Sequence, residues 1–172
     1  VVRDWATMSE KRQPPVRYID RTKAQYDALG YDSYHWAHFD EPPPITSLPA
    51  PLAELRLGLI ATGGIYATGQ TAFTYRDDTT YRAIDADVDP GELRATHFAY
   101  DLTDARQDIN VVFPIDALRS LVGDGVVGEL APQLFTCMGG IYSQRRVRDD
   151  LAPALVQRCR DDEIDVVLLV PV

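Results

Sequence analysis

A chain of 172 residues, 45% hydrophobic and 25% charged, can bury one substantial core and is too short for two large domains. Its formal net charge of −9 would be repelled by a phosphate backbone or an anionic membrane surface, which argues against nucleic acid and membranes as partners. Two cysteines, Cys137 and Cys159, make neither a disulfide framework nor a structural zinc site. With no apolar run near the ~20 residues of a membrane helix and no signal-peptide layout, the expectation is a cytoplasmic protein without a bound metal.

Residues 1–13, VVRDWATMSEKRQ, carry no periodic pattern; the tract from Met8 reads as an ordinary start of translation, so Val1 to Thr7 are set aside. IDRTKAQYDAL (19–29) predicts a helix with Asp20 as N-cap and Gly30 at its C-terminal end. The aromatic tract that follows runs into prolines at 42, 43, 44, 49 and 51, which sustain neither helix nor central strand and suit an extended wrap over a surface. Residues 1–50 are thus expected to be a helix plus a Pro-rich wrap, and residues 51–172 an α/β domain.

From residue 55 the pattern alternates. LRLGLIAT (55–62) reads as a buried parallel strand running into Gly63-Gly64, and LRATHFAY (93–100) as a second strand parallel to it. Pro114 at a first helical position, with Ile115, Leu118, Leu121 and Val122 on one face and Gly123 or Gly125 at the end, predicts a helix. QLFTCM (133–138) is a strand ending in Gly139-Gly140. A helix N-capped by Asp150, tolerating Pro153, puts Cys159 in the core, and IDVVLLVPV (164–172) is the most apolar strand. Strands alternating with helices predict a three-layer α/β domain of the Rossmann-like or flavodoxin-like kind, its mostly parallel sheet covered on both faces.

Gly-Gly-Ile-Tyr occurs twice, at 63–66 and 139–142, each time after a predicted strand. Ligands of open α/β sheets bind at the carboxyl ends of the strands. Gly63, Gly64, Gly139 and Gly140 are therefore candidate substrate-binding residues whose N–H groups would meet one ligand on a shared rim. THFAYDLTDARQDIN (96–110) is the densest polar stretch. It offers His97 and Asp101 as acid–base or positioning residues, and Asp108 and Asn110 as substrate ligands; a solvated acidic loop is the plain alternative. His35 and His38 are spaced for surface or packing roles. Arg145, Arg146 and Arg148 are either a carboxylate clamp or solvated charges, and Cys137 reads as a packed strand thiol.

The stretch DINVVFPIDALRSLVGDGVVGELAPQLFTCMGG (108–140), supported by PLAELRLGLIATGGIY (51–66), TTYR (79–82) and THFAYD (96–101), resembles the selenoprotein B subunits of glycine, sarcosine and betaine reductases and the related subunit of D-proline reductase. The likeness covers the chain from about Leu29 onward. It implies reductive cleavage of a C–N bond in a small amine or amino acid, with a dithiol, such as a thioredoxin-like partner, as electron donor. In that family a selenocysteine or cysteine follows the apolar strand matching VVLLVPV, with another cysteine soon after, and a pyruvoyl group on a partner subunit holds the amine. Neither residue is within this sequence, so the expectation is a reading cut short at Val172 by a UGA codon. The substrate stays open, because Gly139-Gly140 has one glycine more than the family's loop often has. A homo-oligomer is compatible with all of this. The alternative is a noncatalytic α/β domain that holds a small anionic metabolite through its two Gly-Gly loops.

Overall fold

The run LRLGLIA, apolar and free of helix-favouring periodicity, forms the central strand of the molecule, and Leu57, Leu59 and Ala61 within it are buried. The computed structural model describes residues 17–32, 37–44 and 46–172, which fall into two units divided after Pro43. The first holds α1 (Tyr18–Ala28). In chain order the second holds β1 (Arg56–Ala61), β2 (Ile65–Ala67), β3 (Tyr81–Asp85), β4 (Leu93–Ala95), α2 (Thr103–Gln107), α3 (Ile115–Gly123), β5 (Glu129–Leu130), β6 (Gln133–Cys137), α4 (Gln144–Arg146), α5 (Ala152–Asp161) and β7 (Val166–Val170).

β1 organises the main five-stranded sheet. On one side it pairs in parallel with β7, from Leu57↔Val166 to Ala61↔Val170. On the other it pairs in parallel first with β5, then with β6. Pro132, which lacks an N–H for the ladder, sits in the break between those two. β3 closes that side antiparallel to β6, from Tyr81↔Cys137 to Asp85↔Gln133. Leu134 belongs to one buried cluster with Ile115 and Leu118 of α3, whereas Phe135 belongs to another with Leu155 of α5. Adjacent strand residues point to opposite faces, so α3 and α5 cover opposite sides of a mostly parallel sheet, the three-layer α/β arrangement.

Several elements differ from expectation. The strand expected over 93–100 ends at Ala95 and is not parallel to β1; β4 pairs antiparallel with β2 in a separate two-stranded ribbon. β3 was hidden in the polar-looking TTYRAID. The helix expected to begin at Asp150 begins seven residues earlier, where Ser143 Oγ accepts the Arg146 amide, and α4 continues through a π-helical turn (Val147–Leu151) into α5. The widened turn lies just before Pro153, where a regular ladder would need an N–H that proline lacks. Asp20 is not an N-cap either; Arg17 holds that position and pairs with Asp20 at 2.8 Å. Gly30 does end α1, with φ +74°.

Cys159 is half-buried against the α5-side cluster. β7 is apolar but not enclosed: with β1 as its only neighbouring strand among the described residues, Leu168 and Leu169 remain 38% and 65% exposed. Residues 42–44 and 46–49 carry no helix or strand and are exposed. His35 lies outside the described residues, and His38 is exposed beside Asp40.

Candidate active-site rim

Because β1, β6 and β7 are parallel, their carboxyl ends come out on one edge, and the residues just beyond them meet there. The Thr62 amide donates to Val170 O at 3.0 Å, and Thr62 Oγ1 accepts the Val172 amide at 2.9 Å. Gly63 bridges to Met138, and the Gly64 amide donates to Cys137 O at 3.0 Å. The two Gly-Gly loops therefore lie side by side, but they are zipped to each other. A Cβ on Gly64 would fall 2.0 Å from the Thr96 carbonyl oxygen, and one on Gly63 3.2 Å from Val112. The first pair is buried, and its glycines permit close backbone packing; Gly139 is exposed and Gly140 half-buried. A Cβ on Gly139 would lie 2.9 Å from Val172 O and 3.0 Å from Thr62 O, so glycine lets the ends of β6, β1 and β7 converge.

His97 comes from the turn after β4 and is 3% exposed. Its Nδ1 accepts the Ala99 amide at 3.0 Å, which leaves the proton on Nε2. Nε2 is buried and has no hydrogen-bond partner among the described residues. An unpaired buried donor costs about 1–3 kcal/mol. Burial lowers the ring's pKa below the ordinary histidine value, so the neutral form is favoured. Tyr100 lies against His97 at 4.8 Å between ring centroids and donates its hydroxyl proton to Gly63 O at 2.9 Å. Asp101 does not hydrogen-bond His97. Its exposed carboxylate accepts the Thr103 hydroxyl and amide at the start of α2, and these bonds lower its pKa.

The second Gly-Gly loop is held from the other side. Asp77, in the left-handed region at φ +47°, accepts the amides of Tyr142 and Ser143 at 2.7 and 3.1 Å. Arg146 donates to Asp77 O and Thr79 Oγ1 and makes a 3.8 Å ion pair with Asp150, so it is a clamp on the protein's own 77–79 turn. Arg148 pairs with Asp149. Over Gly140 the aromatic rings gather: Phe98 stacks on His97 at 5.7 Å and on Tyr142 at 6.3 Å, and meets Tyr75 edge-on at 6.0 Å. A Cβ on Gly140 would fall 2.4 Å from the Phe98 ring, so a side chain there would displace that ring. Sequence reasoning missed Asp77, Phe98 and Tyr100. The turn composition of RDDTT was a usable signal for Asp77.

Asp108 and Asn110 sit elsewhere. Asp108 Oδ1 accepts the Asn110 amide and side-chain Nδ2, bonds that lower its pKa; the same Nδ2 donates to Asp116 Oδ2, while Asn110 Oδ1 accepts the Asp116 amide at the start of α3. These groups, with Tyr66, Arg94, Thr96 and Arg106, line an open cavity of about 670 Å³ whose walls include neither His97 nor the four glycines. Cys137 is buried, and burial pushes its thiol up to about 11, which fits a packing role. No helix among the described residues is long and apolar enough to cross a membrane.

The family model for glycine/sarcosine/betaine reductase selenoprotein B matches residues 32–172. The chain belongs to that family. It is 30% identical over 129 residues to D-proline reductase subunit gamma of Acetoanaerobium sticklandii, covering 74% of this chain and 53% of that protein. It is also 28% identical over 141 residues to glycine reductase complex component B subunit gamma of Symbiobacterium thermophilum, covering 79% of this chain and 32% of that one. The chain thus spans about half the length of the first relative and about a third of the second. No solved structure matches it. The family is one of oxidoreductase complexes, and its members are subunits of multi-subunit reductases.

Proposed function

We propose that this chain forms the α/β part of a reductase subunit that cleaves the C–N bond of a small amine or amino acid, and that the reaction takes place at the rim where β1, β6 and β7 end. The observation that carries the reading is the convergence at Gly139: Val172 is held against it through Thr62, and Gly139 has no side chain to fill the exposed space beside it. A redox selenocysteine or cysteine placed just after Val172 would fit that space. It would supply a soft nucleophile at the carbon bearing the nitrogen, with a pyruvoyl group on a partner subunit holding the amine and a dithiol donating two electrons.

The residues of this chain then shape the rim. Gly139 keeps it open, Gly140 makes room for the Phe98 ring, Asp77 fixes the second loop, and His97 and Tyr100 stand beside the first. Asp101 would act through the α2 turn that it starts. In the neighbouring cavity Asp108, with Asn110 orienting it, and the guanidiniums of Arg94 and Arg106 would offer opposite charges to an amino acid. The alternative in which both Gly-Gly loops cradle an anion has less support, because the Gly64 amide is already bonded to Cys137.

The test is the protein carried past Val172 and assayed with its partner subunits, a dithiol, and glycine, sarcosine, betaine and D-proline. One disulfide formed per C–N bond broken is expected with at least one substrate. A following UAA or UAG codon, or no dithiol consumption across the panel, would refute the proposal.

A further inference from the structure

The least satisfied group in the described molecule is His97. It is almost wholly buried, its Nδ1 is committed to the Ala99 amide, and Nε2 meets no acceptor. Packing alone does not call for a histidine at this point, since an apolar ring of similar size would fill the space between Phe98 and Tyr100 without burying an unpaired donor. The surroundings are built. Tyr100 anchors to Gly63 O, and Phe98 lies over Gly140 because no Cβ is present there. Phe98 is itself 38% exposed, so it is the neighbour of His97 that can swing towards solvent.

We infer that His97 is a binding residue that donates its Nε2 proton to the carboxylate oxygen of a small ligand, reached when the Phe98 ring moves aside, and that it does not shuttle protons. The inference rests on the proposed amino-acid chemistry and makes it more specific: the group recognised beside the first Gly-Gly loop is the substrate's acid end. The donor is neutral and already stripped of water, so it can meet an anion without first losing a proton. Phe98 moving back over the ligand would exclude water from that bond.

Long-range proton–nitrogen spectra of the full chain labelled in its histidines provide the test. At neutral pH the His97 ring is expected as the Nε2–H tautomer. Titration with acetate, glycine, betaine, D-proline and methylammonium should shift the Nε2 proton with the carboxylates and leave it unmoved with methylammonium. The substitutions separate the two nitrogens, because His97→Gln carries a donor near the Nε2 position whereas the shorter His97→Asn reaches only the Nδ1 position, where its Oδ1 can accept the Ala99 amide. His97→Gln should bind the carboxylates within about threefold of the parent, and His97→Asn at least tenfold more weakly.

An Nδ1–H tautomer overturns the proposal at once. Carboxylates that bind equally well in both variants, with His97 unmoved, overturn it while leaving the reductase reading intact. A response to acetate that no amino acid improves upon supports the donor and counts against the amino-acid reading. No response to any carboxylate overturns the proposed ligand class. If neither variant folds, the spectra of the unsubstituted protein still decide.

Discussion

Replacing Gly64 by alanine tests whether the first Gly-Gly pair exists for backbone packing. The residue has φ +68°, where an L side chain costs about 1–2 kcal/mol. The new Cβ would also fall 2.0 Å from the Thr96 carbonyl oxygen. That oxygen belongs to the backbone, and the Thr96 amide donates to Gly64 O at 3.0 Å, so relief requires moving the β2–β4 ribbon. Overpacking of this kind costs about 1–3 kcal/mol, which brings the total to about 2–5 kcal/mol. Gly125 is the internal control: it has φ +71° with no atom within 4 Å of its would-be Cβ, so Gly125→Ala should lose only the conformational part, about 1–2 kcal/mol. Equilibrium urea unfolding followed by circular dichroism measures both. Equal losses, to within about 0.5 kcal/mol, would refute the packing role, since that is the ordinary reach of a change without a steric cause.

The Asp78 carboxylate accepts the amides and hydroxyls of Thr74 and Thr80; burial alone would raise its pKa, but these bonds and Arg82 lower it overall. Asp78→Ala should therefore cost about 2–3 kcal/mol in the same urea experiment, and a loss under 0.5 kcal/mol would contradict the assignment. His97 has a folded pKa below its unfolded value of about 6.5, so its contribution is fully present above that pH and is lost as acid protonates the unfolded chain first. Between pH 7.5 and 5.5 the parent should lose more stability than His97→Gln; an identical pH dependence would show that the ring is not held neutral. Cys137, pushed up to about 11, should be alkylated by iodoacetamide more slowly than half-buried Cys159 at pH 8, and peptide mass spectrometry showing Cys137 modified first would overturn that order. Gly140→Ala should displace the Phe98 ring, visible as loss of the ring-current shifts that Phe98 induces on Tyr142; unchanged shifts would mean that the loop yields instead.

What the sequence determined by itself was whatever depends on short stretches of chain. β1, β6 and β7 were legible because each is a short, mostly apolar run, α3 because its apolar residues recur at helical spacing after Pro114, and the end of α1 because Gly30 supplies a left-handed residue. The family was legible from short motifs that lie within residues 32–172, the span that the family's model matches. The tertiary structure decided whatever depends on partners distant in sequence. β3 is a strand because β6 offers it a ladder, and LRATHFAY stops at Ala95 because β2 is there to pair with only three of its residues. The same reason divides the candidate site. His97 and the glycines were placed together by packing across β2, β4 and β6, whereas Asp108 and Asn110, near His97 in sequence, were drawn away to start α3. Whether a polar side chain meets a ligand or satisfies the backbone is settled by which hydrogen-bond partners the fold brings within 3 Å, and no local pattern encodes that.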